Sequence, residues 1–255
     1  MNSTAWLHHF ESNRLNRLEP HWELPCREDA GTAAKLARSL SHFQLGESGE
    51  GNFLLARGQR AYPDDPDYVA ALGLFVAEEQ EHARLLEHLV ARFGGTLVPR
   101  HWSHACFRLL RRALGVQFEI QTLVIAELIG TAYYQVLHHH TRDRVLVEVC
   151  ELMLGDEAAH LEFHAHRFAA WQWHWLPLAR GLWSTQFQLL FLAATGAAWF
   201  DHRGALTAVG VTRREYSRRT RRECAMFLHA LSRPGIPAGS TSPPSALRKE
   251  DATVL

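Results

Sequence analysis

The residues with the clearest capacity for chemistry form two copies of one short motif, a glutamate followed three positions later by a histidine. Glu79 and His82 are the first copy, and Glu157 and His160 are the second, 78 residues further along the chain. On an α-helix this spacing is about 4.5 Å of rise and about 60° of rotation, so both side chains of a pair can serve one site. Carboxylate oxygens with one imidazole per ion are suited to iron or manganese.

A further glutamate precedes each motif at nearly the same interval. Glu47 lies 32 residues before Glu79, and Glu127 lies 30 residues before Glu157. A single Glu-x-x-His pair is usually a solvated or salt-bridged pair on a helix surface. The full order, Glu, Glu-x-x-His, Glu, Glu-x-x-His, is that of a dinuclear metal site inside four helices. The repetition therefore favours a metal site over four unrelated surface groups.

The first helix that must position these ligands begins at Gly31. Its apolar residues recur at intervals of three and four, and both Glu47 and Glu50 fall on this stripe. Either acid can therefore be the ligand, or both. Three glycines lie beside them, and each costs about 1 kcal/mol relative to alanine within a helix. We expect these glycines to allow another helix to approach closely: Gly46, Gly49 and Gly51.

The second helix opens after a turn in which Asp65 or Asp67 can cap it, and it ends at a pair of glycines, Gly94 and Gly95. Glu79 and His82 occupy positions on its apolar stripe where a core leucine would otherwise lie. Three other acids fall off the stripe, so we expect them to be solvated: Glu78, Glu81 and Glu87.

The third helix is apolar on nearly all sides, which predicts a buried helix. Glu127 lies in the middle of it, and an ionised, unpaired carboxylate there would cost several kcal/mol, so it requires a metal or another cation. Thr131 and Tyr134 follow on the same face. The fourth helix carries Glu157 and His160 on its inner face, and His164 continues that face by one turn.

The sequence predicts an all-α protein with four parts. Residues 1–30 form an irregular arm with room for a short helix, residues 31–170 form the four-helix bundle, residues 171–231 form a C-terminal helical extension, and residues 232–255 form a flexible tail. Residues 181–200 carry no formal charge over the length of a membrane span. Their polar residues and glycines favour a fifth helix packed on the bundle, so no membrane span is expected.

Charge and cysteine content exclude several classes of protein. The 27 basic and 27 acidic side chains balance, which argues against nucleic-acid binding. The four cysteines contain no Cys-x-x-Cys pair, which excludes a zinc ribbon or a rubredoxin-type iron centre. The N-terminus has no signal-peptide pattern, so a reduced, cytoplasmic setting is expected.

The motifs resemble those of the ferritin-like diiron-carboxylate superfamily. The strings FQLGESGEG, FVAEEQEHA, AELIGTAYY and GDEAAH are most similar to uncharacterised bacterial ferritin-like domain proteins. The resemblance covers residues 31 to about 170 and implies a ferritin-like four-helix bundle with one or two additional C-terminal helices. It implies two iron ions, or one manganese and one iron, held by six ligands: Glu47, Glu79, His82, Glu127, Glu157 and His160.

The same resemblance suggests roles for four further residues. Diiron monooxygenases place a threonine as Thr131 is placed, where its hydroxyl relays protons; the alternative is a hydrogen bond to the Glu127 carbonyl within the helix. Tyr134 is a candidate donor or radical site, or a plain core residue. Glu50 can replace or supplement Glu47. His164 resembles an extra histidine ligand of some diiron N-oxygenases, or it orients another ligand.

The sequence is compatible with two main functions and with a third class of protein. The first is a dinuclear iron oxidase or oxygenase that uses dioxygen and an external electron donor on a small organic substrate, with amine N-oxygenation as one version. The second is a ferroxidase or peroxide-scavenging protein without an organic substrate, which predicts no apolar pocket beside the metals. The third is a metal-stabilised structural module. The C-terminal extension is expected either to wall a substrate pocket or to form a homodimer contact.

Overall fold

The computed structural model describes residues 2–49, 51–102, 115–172 and 176–232. Within these ranges the chain forms α-helices and no strands, so the all-α prediction is confirmed. The helices are α1 (Ser3–Leu15), α2 (Ala30–Glu47), α3 (Asn52–Ala61), α4 (Pro66–Arg92), α5 (Val116–His140), α6 (Arg144–Gln172), α7 (Pro177–Ala208) and α8 (Arg213–Ser232).

A bundle of helices surrounds the predicted ligands. The α2–α3 pair packs on α4, α5 packs on α6, and α4 also contacts α6. Asp65 caps α4 by accepting a hydrogen bond from the Tyr68 N–H, and Asp29 caps α2 in the same way through Gly31 and Thr32, as expected of N-cap aspartates. The left-handed Gly94 follows the end of α4, as predicted.

The apolar core consists of two clusters, one toward each end of the bundle. One cluster includes Leu36, Leu89 and Val149, and the other includes Leu72 and Phe163. On α4 the first cluster takes residues 85–90 and the second takes residues 71–76, so Glu79 and His82 lie between them. The predicted ligands thus form a polar layer between two apolar layers, which keeps bulk water away from most of the layer.

The N-terminal arm is more ordered than an irregular segment. Helix α1 packs along α4, with Trp6 and Phe10 buried. The Trp6 ring contacts the Phe163 ring at 5.5 Å between centroids. The arm therefore covers the outer side of the α4–α6 contact, and the sequence predicted at most a short helix there.

The first predicted helix is interrupted beside its ligand. Helix α2 ends at Glu47 and α3 begins at Asn52, so the apolar stripe predicted for a single first helix crosses a break. Gly51 adopts a left-handed conformation (φ 66°), and a side chain there would collide with Val76 of α4. Close approach thus explains Gly51, whereas Gly46 and Gly49 have open space around them.

Helices α7 and α8 pack on the bundle, and α7 lies against both α2 and α5. Buried contacts of α7 include Phe187, Phe191 and Leu206. Within the described ranges only α5 is long and apolar enough to cross a membrane, and 83% of its apolar window is buried in the protein. That burial is the pattern of a core helix.

Candidate metal centre

Four helices bring the six predicted ligands into one site. The Nδ1 atom of His160 lies 3.0 Å from Oε1 of Glu79 and 3.5 Å from Oε2 of Glu127. The Nδ1 atom of His82 lies 3.7 Å from Oε1 of Glu157 and 3.9 Å from Oε1 of Glu79. These side chains come from α4, α5 and α6, and Glu47 of α2 lies within 4.8 Å of Glu79 and His82.

Two overlapping groups of side chains in this site could each hold a metal ion. One is Glu47, Glu79 and His82, and the other is Glu79, Glu127 and His160; within each group, one ligand atom per residue lies within 4.8 Å of the others. Glu79 belongs to both groups, so its carboxylate can bridge two ions. Glu157 lies 3.7 Å from His82 and 3.9 Å from His160, which places a second carboxylate between the two positions.

The atoms that face the centre lack partners within the part of the chain that the structure describes. These buried atoms form no hydrogen bond: Glu79 Oε1, His82 Nδ1, Glu127 Oε2, Glu157 Oε2 and His160 Nδ1. Buried polar atoms are normally satisfied, and a cluster of unsatisfied atoms is typical of a site for an ion. Two carboxylates and an imidazole per ion position also match the donor preference of iron and manganese. The residues therefore fit a pair of divalent ions.

Electrostatics point to the same requirement for positive charge. Burial and then the nearby Glu79 raise the pKa of Glu47 well above its ordinary value, and burial and then Glu127 do so for Glu157. Burial opposes the shift of Glu79, but the close approach of the Glu47 and His160 side chains lowers its pKa to about 2. The carboxyl groups of Glu47 and Glu157 therefore tend to keep their protons, and binding of metal ions must displace these protons.

Each inner histidine is held from behind by an acid of the opposite helix. The Nε2 atom of His82 lies 3.0 Å from Oδ2 of Asp156, and the Nε2 atom of His160 lies 2.9 Å from Oε2 of Glu78. Glu78 is only 4% exposed, so the expectation that it is solvated was wrong. An acid behind a metal-binding imidazole fixes its orientation and leaves Nδ1 for the ion. The sequence signal was an acid directly before the glutamate of each motif.

Helix α1 and the residues after it connect these two outer acids. The Asn13 side-chain amide donates hydrogen bonds to both Glu78 and Asp156. Arg17 forms an ion pair with Asp156 and lies 3.7 Å from Glu78. We call Asn13 and Arg17 the α1 clasp, because together they contact the acids behind both histidines. No local pattern in the sequence predicted the clasp.

The four further candidate residues have different surroundings: Thr131, Tyr134, His164 and Glu50. Thr131 Oγ1 and the Tyr134 hydroxyl are buried and form no hydrogen bond to any described residue, so Thr131 does not make the predicted bond to the Glu127 carbonyl. Burial and then Glu47 raise the pKa of Tyr134 well above its ordinary value. His164 is buried with both ring nitrogens unpartnered among the described residues, and burial lowers its pKa to about 4. Glu50 lies outside the described residues.

A cavity of about 460 Å³ opens onto four of the acids: Glu47, Glu79, Glu127 and Glu157. Its opposite wall is α7, which contributes a row of small residues: Ala193, Ala194, Ala197 and Ala198. Phe75, Ile125 and Leu190 add apolar surface. The volume lies within the range of pockets for small molecules, about 300–1,000 Å³. The C-terminal extension therefore walls a cavity beside the candidate metal positions.

Comparisons of the chain with protein-family models, with curated proteins and with solved structures found no match.

Proposed function

We propose that the chain is a ferritin-like dinuclear metal oxidoreductase that uses dioxygen to oxidise or hydroxylate a small organic substrate. The observation that carries this proposal is the apolar cavity that opens onto four buried carboxylates. A pair of ferrous ions, or one iron and one manganese ion, would supply the electrons that reduce dioxygen. The remaining requirements fall to the protein: to bind the ions, to position the substrate, to exclude water and to supply protons.

The inner side chains have separate tasks in this proposal. Glu79 and Glu157 lie between the two ion positions, while Glu47 and Glu127 complete the cage. Thr131 lies one helical turn after Glu127, and its buried hydroxyl has no partner among the described residues, so it is free to hold a proton beside the site. Tyr134 keeps its phenolic proton because its pKa is raised.

The cavity is the feature that separates the organic oxidase from an iron-handling protein. A ferroxidase or peroxide scavenger needs only a path for ions and small oxidants, and an apolar chamber gives it no advantage. Binding of an organic molecule benefits directly, because burying apolar surface contributes about 25 cal/mol per Å². The alanine row on α7 preserves this space, where larger side chains would fill it.

The electron donor is proposed to be a separate protein or small reductant, since the sequence carries no flavin or nicotinamide motif. Helix α8 offers one docking surface for an acidic donor. Five of its arginines are exposed: Arg213, Arg214, Arg218, Arg221 and Arg222. Complementary charge would speed the encounter with such a donor.

The test is anaerobic loading of purified protein with ferrous ion, followed by exposure to dioxygen. We expect new near-ultraviolet or visible absorption that depends on oxygen, and we expect Glu127→Ala to lose both the absorption and bound metal. Glu87→Ala, an exposed acid on α4, is the control and should behave as wild type. Unchanged metal content in Glu127→Ala, together with no oxygen-dependent absorption in wild type, would reject the proposal.

A further inference from the structure

One end of the cavity differs chemically from the rest. His42, Asp201 and His202 line it, together with Trp102. The Trp102 indole N–H donates a hydrogen bond to Oδ1 of Asp201 (3.2 Å), and His101 Nδ1 lies 3.8 Å from Oδ2. We call the three residues His42, Asp201 and His202 the polar end. In a chamber with walls of alanine, leucine and phenylalanine, such a group fixes the orientation of a ligand.

The polar end lies away from the candidate metal positions along α7. Helices α5 and α7 run in parallel, because Gln121 hydrogen-bonds Gln186 (3.0 Å) and the Tyr133 ring contacts the His202 ring further along both helices. Ala194 is therefore level with Glu127. Seven residues separate Ala194 from Asp201, which is about 10 Å along a helix. A molecule whose head group binds Asp201 would therefore place an atom about 10 Å from that head group beside the buried carboxylates.

The imidazoles of the polar end carry no charge at neutral pH. Burial and then the neighbouring His101 lower the pKa of His42 to about 4, and burial and then His42 lower the pKa of His202 to about 3. Ser39 Oγ lies 2.8 Å from Nδ1 of His202, so that nitrogen is occupied. His42 Nδ1 is buried without a hydrogen-bond partner in the described part of the chain. The polar end thus offers a carboxylate and a neutral ring nitrogen.

This combination selects among head groups. A carboxylate or phosphate group would meet the Asp201 carboxylate and be repelled, since a like charge at close range in a partly buried site is destabilising. An ammonium group would gain a charge-assisted hydrogen bond to Asp201 and lie against the rings of His42 and Trp102. A hydroxyl group would gain less, because a neutral donor forms a weaker hydrogen bond to a carboxylate than a charged one.

We propose that the polar end is a binding site for the amino group of an elongated apolar amine, which is thereby held with a carbon about 10 Å from its nitrogen beside the metal cage. This inference rests on the proposed function for its chemical consequence, oxidation at carbon and not at nitrogen. The binding itself does not depend on turnover. Binding of the amino group at the polar end would restrict the expected substrates to elongated apolar amines. It would also exclude oxygenation at the amine nitrogen.

The experiment measures binding of three probes to the full chain by calorimetry at pH 7 without oxygen: octylamine, 1-octanol and octanoate. We expect octylamine to bind most tightly and octanoate most weakly, with about a tenfold difference between the two, the size of one charge-assisted hydrogen bond. Asp201→Asn should weaken octylamine binding about tenfold and leave 1-octanol within about twofold. The asparagine can still accept the Trp102 hydrogen bond, which preserves the local structure.

A matched pair of variants tests whether the probes occupy the cavity. Ala194→Leu adds side-chain volume to the cavity wall and should weaken the binding of all three probes. Ala179→Leu makes the same change at an exposed position of α7 and should leave their binding unchanged. Circular dichroism and thermal melting confirm that each variant folds. Octanoate binding at least as tightly as octylamine, or Asp201→Asn without effect on octylamine, would overturn the binding site. Amine binding that requires Asp201, without any oxidation in metal-loaded protein, would instead reject the proposed function alone.

Discussion

The two halves of the candidate metal centre use the same ligand pattern but differ in their surroundings. The α2–α4 half supplies Glu47, Glu79 and His82, beside a helix break and the cavity. The α5–α6 half supplies Glu127 and Glu157 from two unbroken helices, together with His160. The Glu79 side chain is 15% exposed, while that of Glu157 is 2% exposed. The α2–α4 half is therefore the more open and the α5–α6 half the more enclosed, although the cavity reaches acids of both.

Equivalent positions in the two halves make the contrast specific. Four residues after His160 the enclosed half has His164, where the open half has Leu86 after His82. Four residues after Glu127 it has Thr131, where the open half has Gly51 after Glu47. A repeated motif thus supplies the candidate ligands, while the residues four positions further on are polar in one half and apolar or without a side chain in the other. Substitutions in the two halves test this difference.

The largest effect should come from the acid that both ion positions share. Glu79→Ala removes a carboxylate common to both candidate groups, so we expect both ions to be lost, whereas Glu47→Ala should lose only one. Elemental analysis of protein reconstituted without oxygen gives the metal content per chain, and Glu87→Ala is the control. Two ions retained by Glu79→Ala would show that the halves do not share this ligand.

The acids behind the histidines should have the next largest effect. Asp156→Asn and Glu78→Gln each weaken the support of one imidazole, and such changes typically cost 10- to 100-fold in metal affinity. Competition with a chelator measures the affinity, and Glu87→Gln provides an exposed control. If both variants bind metal within twofold of wild type, the outer acids do not orient the histidines.

Replacing His164 by leucine makes the enclosed half resemble the open half. His164 is buried without a hydrogen-bond partner among the described residues, so His164→Leu should stabilise the metal-free protein by about 1 kcal/mol. Metal content should not change, because His164 is outside both candidate groups. Urea denaturation and elemental analysis measure the two quantities. Loss of one ion would identify His164 as a ligand instead.

The pH dependence of that variant follows from the same burial. The pKa of His164 is about 4 in the folded chain and about 6.5 when unfolded, so between these values the unfolded state binds more protons. The stability of the metal-free protein should therefore fall as pH drops from 6.5 to 4, and His164→Leu should fall less. The urea midpoints of both proteins at pH 7 and pH 5 provide the comparison. An equal fall in both would contradict the assignment.

The smallest effect should come from the α1 clasp, which touches both halves. Arg17→Met should lower the affinity for both ions by about three- to fivefold, since a partly exposed ion pair contributes up to about 1 kcal/mol. Arg14→Met changes an exposed arginine at the end of α1, three residues before Arg17, and should have no effect. The same chelator competition is suitable. A change confined to one ion would show that the clasp supports only one half.

The sequence predicted which acids and histidines lie together at the centre of the bundle, because each of them obeys a local rule. Each lies in a helix with recognisable periodicity, and the structure brings Glu127 and His160 to within 3.5 Å of each other. The break after Glu47 was missed because a stripe of apolar residues continues across it. The glycines were visible, but only the contact between Gly51 and Val76 explains why the chain must turn there.

The outer parts of the site were harder to predict for a physical reason. Glu78 is off the apolar stripe of α4, so helix periodicity alone places it in solvent. It is buried because α1 covers it, and Asn13 lies 65 residues away in sequence. The polar end is likewise assembled from α2 and α7, and Trp102, ten residues after the end of α4, contacts it. Such sites depend on how helices pack, and that information is absent from the pattern within any one helix.

The most direct test of a dinuclear centre is a crystal structure of the iron-loaded protein with anomalous data collected at the iron edge. We expect two peaks about 3.5–4 Å apart, the usual separation in two-metal sites. Both should lie between Glu79 and Glu157, next to Nδ1 of His82 and Nδ1 of His160. A single peak at one motif, or iron bound only at the surface histidines 138–140, would contradict a dinuclear centre shared by the two halves.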